Sequence, residues 1–262
     1  MSIPRCVNAA AYRAARRTCR EAIRRQGLCE MRHFLHDDAV RELLWKSEKL
    51  REKGFRSFEE HNIYLENGDS RSFPSSKVLV NQRDLAKSCP ELIELFEWPG
   101  LRELLEIAFD LKLHCSADPL GGVYLNFFEK GDKLAWHFDR SEPLAASILI
   151  FSLKLRYSVN LILRECPRAS SAPAGAFMYL PASRDFFDEH PDFDLERLDD
   201  SGLTCVVPDL EPGTLYLFAG HRSLHCVSEN TSDTVRVNAI FTFNPEPNVK
   251  LNRYTRQKFF GA

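Results

Sequence analysis

No run of apolar residues approaches the roughly 20 that a membrane-spanning helix needs. Charge of either sign is not in surplus: the formal net charge is −2 and the pI is near 6.5. The first absence excludes a helical membrane span. The second removes the electrostatic footprint of a nucleic-acid-binding protein. None of the eight cysteines forms a C-x-x-C pair, and no secretory signal is recognisable. The thiols are therefore expected to be reduced and scattered, as in an intracellular protein, rather than to form a disulfide framework. Internal repeats and low-complexity segments are also lacking. What is present is an ordinary globular mixture, 44% hydrophobic, 27% charged and 11% aromatic over 262 residues, enough for one large domain or two small ones.

The N-terminal 27 residues carry seven arginines and a single acid, Glu21. That composition suits either a basic helix at the start of the fold or an organellar targeting segment. The expected location is accordingly the cytoplasm, with mitochondrion or plastid as the alternative. Residues 8–26 are Ala-rich and end at Gly27, which predicts a helix with a glycine stop. A short strand is expected over residues 28–35, with Met31 and Phe34 among its buried positions. A second helix follows, from His36-Asp37-Asp38 to about Lys53, where Ala39, Val40, Leu43, Leu44 and Leu50 recur at helical spacing. Residues 54–87 read as mixed and polar. Ser88 is a plausible N-cap for a helical region from Pro90 to Phe109, broken at Pro99-Gly100. Residues 28–118 thus form a helical support region.

From residue 119 onward the texture changes to short aromatic and β-branched runs punctuated by Gly, Pro and Asp. They fall at 122–128, 134–138, 157–163, 176–180, 203–207, 214–219, 224–227 and 235–243. The pattern predicts an α+β fold: a double-stranded β-helix (jelly roll) over residues 119–262, with the N-terminal helices packed on one sheet. The acidic and aromatic stretch 185–200 reads equally as a lid or as a solvated helix and loop.

Within the β-region, His137-Phe138-Asp139 places an imidazole and a carboxylate two residues apart, hence on one face of a strand. His225 lies 88 positions on and Arg236 a further eleven. Two imidazoles and a carboxylate are the ligand set of non-haem Fe(II) oxygenases. His225, between the apolar Leu224 and Cys226, is preferred over His221, which sits in a turn beside Gly220. The strand 235–243 alternates. Val235, Val237, Ala239, Phe241 and Phe243 share one face, and Arg236, Asn238, Ile240 and Thr242 share the other. An arginine on an inward face needs an anionic partner, and a planar bidentate cation suits the far carboxylate of a dicarboxylic 2-oxo acid. Asn238 and Thr242 would then be polar groups on the pocket wall. Asn126 is a candidate for orienting ligands or substrate, as Asn238 is. Trp136 fits a place behind the ligand strand.

The ordered set resembles the Fe(II)/2-oxoglutarate-dependent dioxygenase superfamily over roughly residues 120–245. The segments 126–142 and 220–227 are most similar to its prolyl-hydroxylase-like branch and, within that, to free-amino-acid hydroxylases and radical halogenases. The resemblance implies Fe(II), 2-oxoglutarate and O₂ as cofactors and co-substrates, with His137, Asp139 and His225 as metal ligands and Arg236 on the co-substrate. Because Asp139 is a carboxylate where halogenases carry a small residue, it implies hydroxylation or a related oxidation, not halogenation. The substrate is expected to be a small molecule, a free amino acid or a peptide. Arg140 and Glu142 flank the motif and suit either an amino acid's charged groups or surface salt bridges.

One departure stands out. Residues 143–156 are an apolar insertion where similar proteins run directly into the next strand. It reads as a lid, a partner-binding segment or, preferentially, a misread gene model. Two other readings of the chain remain: a non-catalytic jelly-roll binder, and a zinc hydrolase. The latter leaves Arg236 without a task and lacks the glutamate of an H-E-x-x-H motif.

Overall fold

A computed structural model describes residues 2–65, 72–139, 157–166 and 174–262. In chain order it contains helix α1 (Ala9–Gln26), strand β1 (Leu28–Met31), α2 (Asp37–Arg51), β2 (Phe55–His61), β3 (Phe73–Val80), α3 (Gln82–Ser88), α4 (Pro90–Glu97) and α5 (Pro99–Phe109). There follow β4 (His114–Cys115), β5 (Val123–Phe128), β6 (Leu134–His137), β7 (Tyr157–Arg164), β8 (Phe177–Leu180), α6 (Arg184–Glu189) and a 3₁₀ turn at Leu195–Ser201. The chain ends with β9 (Leu215–Phe218), β10 (Leu224–Val227), β11 (Arg236–Asn244) and α7 (Arg253–Phe260).

The strands form two antiparallel sheets. The larger runs β1-β9-β7-β11-β5-β3-β2, with β4 also paired to β11; the smaller is β6-β10-β8. Alternation decides what each face of the larger sheet meets. Val123, Leu125 and Phe127 on β5, Val159, Leu161 and Leu163 on β7, and Val237, Ala239, Phe241 and Phe243 on β11 join one apolar cluster with α1, α2, α4 and α5. The helices therefore cover one face of this sheet, as the sequence predicts. The opposite face carries Asn126, Asn160, Arg236, Asn238 and Thr242, all buried. It turns toward the smaller sheet, against which it packs through Phe177, whose ring centroid lies 5.2 Å from Tyr216 and 5.1 Å from Phe218.

Helix α1 has both of its ends defined. The Asn8 side chain accepts from the Ala10 and Ala11 amides, and Gly27, at φ 71°, takes the left-handed stop that a side chain would resist. Tyr12, Ala15 and Cys19 are buried. The Tyr12 hydroxyl donates to Gly100 O at 3.1 Å, Arg16 pairs with Glu103 and Arg20 with Asp110. The basic N-terminal segment thus serves as a packed helix of the fold. Among the described residues no helix is long and apolar enough to cross a membrane, and the eight thiols are free.

Several local expectations are corrected. Residues 54–87, read only as mixed and polar, contain among the described residues β2, β3 and most of α3. Ser88 closes α3 and does not cap the next helix, whose N-cap is Cys89. The first strand stops at Met31, ahead of a turn in which His33 adopts φ 52°. Residues 203–207 form only an isolated bridge between Val206 and Tyr179, and α7 carried no sequence expectation.

Helix α7 matters because it is tied to the cavity. The Asp118 side chain is fully buried. It accepts from the Leu120 and Gly121 amides at 2.9 Å, the Leu251 amide at 3.0 Å and Arg256 Nε at 2.9 Å. Burial alone would raise its pKa. The amide donors and the guanidinium outweigh burial and hold it below the usual carboxylate value. A depressed folded-state pKa contributes stability that is present above the unfolded value and lost as pH falls through the folded one. Asp118→Ala is therefore expected to cost about 2–4 kcal/mol at neutral pH. The deficit should shrink below about pH 4, as urea melts across pH would show.

Candidate metal centre

His137 closes β6 and His225 lies in β10, and the two are direct partners in the β6–β10 ladder. Opposed residues of a ladder project to the same side. Their ring centroids are 4.2 Å apart, inclined at 53°. Each ring is oriented by its own strand: His137 Nδ1 donates to Ala135 O at 2.8 Å and His225 Nδ1 to Ser223 O at 3.0 Å. A carbonyl can only accept, so Nδ1 carries the proton and Nε2 presents its lone pair. Burial, reinforced by the neighbouring His225, holds His137 well below the usual imidazole range. Burial takes His225 to about 4. Both rings are neutral at physiological pH, as metal ligands must be.

Asp139 follows two residues after His137. Its amide donates to Gly220 O at 3.0 Å, and its Oδ1 lies 3.7 Å from His225 Nε2. One ligand atom from each of His137, Asp139 and His225 falls within 4.8 Å of the others, close enough to share one metal ion. His221 is outside this group: it sits in the turn between β9 and β10. The intervening Phe138 points away and is buried with Leu180, Phe187 and Leu224, and Trp136 packs against that cluster.

Gly220 is required here by space. A Cβ at this position would overlap the Asp139 carboxylate and lie 2.9 Å from the Phe218 ring. Gly220→Ala should therefore displace Asp139 and weaken Fe(II) binding about 10–100-fold, in the range seen when a group orienting a ligand is lost. An Fe(II) titration of the folded variant measures this.

Arg236 is 1% exposed on the inner face of β11. The sequence expectation left it to find an anionic ligand, but the protein itself supplies a partner. Arg236 Nε donates to both oxygens of Glu165, at 2.9 and 3.0 Å. Burial opposes the charge; Glu165 and Tyr216 outweigh it and raise the guanidinium pKa. The far edge is differently placed. Nη1 donates to Asn238 Oδ1 at 3.3 Å, and Nη2 is buried with no hydrogen-bond partner. Asn238 donates in turn to Asn160 Oδ1 at 3.1 Å. Asn126, opposite Asn238 in the β5–β11 ladder, has a buried and unpartnered Oδ1. Thr242 lines the same cavity, with its hydroxyl donating to Gly121 O at 2.7 Å.

These side chains line one cavity of about 270 Å³ that also holds His137, Asp139 and His225. Sequence reasoning missed part of its wall, His61 and Lys77, and it missed Glu165, which holds Arg236 from behind. His61 lies 5.7 Å from His137, centroid to centroid. Its Nδ1 donates to Asn62 O at 2.9 Å, and its Nε2 is 3.0 Å from the Ser75 hydroxyl. Ser75 Oγ accepts from the Ala135 amide at 2.9 Å, bracing the residue whose carbonyl orients His137. The signal that could have found Lys77 is the apolar run Val78-Leu79-Val80 that follows it, with two β-branched valines. Arg140, Glu142 and residues 143–156 lie outside the described residues.

No protein-family model matches the chain, and no curated protein matches it in sequence. Solved structures do. The non-haem 2-oxoglutarate-dependent epimerase SnoN of nogalamycin biosynthesis aligns with a TM-score of 0.59 at 15% identity, covering 88% of this chain and 83% of its own. HygX from Streptomyces hygroscopicus, solved with nickel and 2-oxoglutarate, gives 0.59 at 16% identity, covering 90% and 89%. EctD from S. alaskensis gives 0.55 at 16% identity, covering 93% and 79%. The chain shares the fold of the non-haem 2-oxoglutarate-dependent enzymes.

Proposed function

We propose that this protein is an Fe(II)- and 2-oxoglutarate-dependent oxygenase with a double-stranded β-helix core, acting on a small molecule. The observation that carries the reading is one cavity containing both a three-ligand group and a buried guanidinium edge with no partner. The donor set fits: two neutral imidazoles presenting Nε2 and one carboxylate, the combination suited to Fe(II) with open coordination positions. The far carboxylate of 2-oxoglutarate would take the Nη2 edge of Arg236, with Asn126 and Asn238 beside it on the wall.

Iron and 2-oxoglutarate, when bound, supply the oxidising power, drawing on O₂ and releasing succinate and CO₂. The chain's own residues position and shield. Ala135 and Ser223 carbonyls hold the imidazole planes. Gly220 admits the Asp139 carboxylate. Glu165 keeps Arg236 charged and in place while leaving one edge for a ligand. Tyr216, whose pKa burial pushes up, stays neutral beside that guanidinium. Phe177 and Phe218 exclude water behind His225, which they approach to 6.1 and 4.5 Å between centroids.

Asp139 argues for hydroxylation over halogenation. Epimerisation and ring closure also occur on this fold, in SnoN and in SnoK, the carbocyclase of the same pathway. An amino acid or peptide is the substrate class we favour. Zinc hydrolysis would leave the open Nη2 edge of Arg236 without a role. An anaerobic titration of the metal-free protein with Fe(II) and then 2-oxoglutarate tests the proposal. A visible metal-to-ligand charge-transfer band is expected. A folded protein that binds Fe(II) and gives no band on adding 2-oxoglutarate would overturn it.

A further inference from the structure

The cavity contains a second cation that the metal centre and the Arg236 site do not use. Lys77 lines it from β3 and is 6% exposed. Among the described residues no carboxylate pairs with it, and its one close neighbour of note is the Phe259 ring, 5.2 Å from Nζ. Glu59, diagonal to it across the β2–β3 ladder, accepts instead from the Ser57 hydroxyl at 2.9 Å. Burial lowers the Lys77 pKa against the pull of Glu59, Asp139 and Asp132. These carboxylates and the ring act at a distance, and no ion pair among the described residues offsets the burial of the Lys77 side chain directly. The inner face of β3 is otherwise suited to apolar contact, as Leu79, two residues on, shows by joining Leu120, Leu251 and Phe260.

The register places Lys77 relative to Arg236. Val78 is opposite Phe127 on β5, so Lys77 falls level with Phe128, which is itself opposite Arg236 on β11. The two cations thus sit in one row across the sheet, two strands or about 10 Å apart, on either side of Phe128. Arg236, 5.6 Å from the centre of that ring, is drawn to one side by Glu165. Lys77 stands on the other side, toward Leu251 and Phe259 of the C-terminal segment. The open Nη2 edge of Arg236 and the unpaired Lys77 ammonium are therefore two separate places for an anion.

We propose that Lys77 anchors a carboxylate of the prime substrate, and that the substrate is a small carboxylic acid whose apolar body lies against Phe259 and Leu251. The inference rests on the oxygenase reading only in assigning Arg236 to the co-substrate. The bond is an ammonium–carboxylate pair in a water-poor pocket, stronger there than at a surface. It would position the substrate on the cavity side away from Arg236.

The test measures equilibrium binding, not turnover. Straight-chain acids from acetate to octanoate, and phenylacetate, are each titrated calorimetrically against their neutral amides, anaerobically, with and without Fe(II) and 2-oxoglutarate. In the unaltered protein at least one acid should bind about tenfold or more tightly than its amide. Lys77→Met should erase that preference and Lys77→Arg should keep most of it. Lys77→Met should leave 2-oxoglutarate affinity unchanged, and should raise the melting temperature by about 2–4 °C as the lone buried charge is removed. If no acid outbinds its amide, or if Lys77→Met weakens 2-oxoglutarate as Arg236 variants do, the assignment is overturned. In the second case Lys77 belongs to the co-substrate. Failure of 2-oxoglutarate to bind at all, with acid selectivity at Lys77 intact, would instead sink the oxygenase reading and spare this one.

Discussion

Replacing His225 with alanine is expected to abolish the Fe(II)–2-oxoglutarate charge-transfer band and to lower Fe(II) affinity by more than about 100-fold, beyond what loss of an outer orienting group costs. His221→Ala should leave both unchanged. The contrast is sharp because the two histidines are four residues apart in sequence and differ in strand context. His225 is locked into the β10 ladder opposite His137, with Nε2 turned to the cavity. His221 lies in the preceding turn, where burial lowers its pKa and Asp139 opposes that shift. It senses the carboxylate electrostatically without joining the ligand group. The paired variants, checked for fold by circular dichroism, therefore assign the third ligand. An intact band in His225→Ala would remove that residue from the metal, and with it the proposed ligand set.

The second large effect concerns Arg236. Arg236→Leu is expected to destabilise the protein by about 3–5 kcal/mol, the range for breaking a buried ion pair by removing one partner. The lost bond is Nε to Glu165, whose side chain retains only 18% of its exposure. The same variant should weaken 2-oxoglutarate about 10–100-fold through the missing charge-assisted contact. These losses have different causes and can be separated. Adding Glu165→Leu to Arg236→Leu removes the carboxylate that faced the lost guanidinium and should restore part of the stability while restoring none of the 2-oxoglutarate affinity. Urea melts and ligand titrations on the single and double variants measure both. Recovery of binding in the double variant would mean that Arg236 serves the fold alone.

How far the sequence reaches is clearest at β11. Alternation from Val235 to Phe243 separated an all-apolar set from one that is polar except for Ile240, and the structure puts the first set under the helices and the second in the cavity. The i, i+2 relation of His137 and Asp139 was equally readable, because a strand's period is fixed by backbone geometry. What escaped depends on tertiary adjacency. Glu165 follows the last residue of β7 and meets Arg236 only because β7 and β11 are neighbours, a pairing that local pattern does not specify. Strand β2 escaped for a different reason. Phe55 and Phe58 are exposed while Ser57 and His61 are buried, so its hydrophobic pattern contradicts its burial. Lys77 is an inward charge on a strand, the opposite of what polarity alone suggests.

Strands β6 and β7 take their register from two different ladders. Strand β6 is held by β10 in one sheet, and β7 by β9 and β11 in the other. Neither depends on the chain that joins them for its register, and both imidazoles are steadied by carbonyls of their own strands. The geometry of the paired imidazoles is therefore a property of strand pairing, set by partners that arrive from elsewhere in the chain.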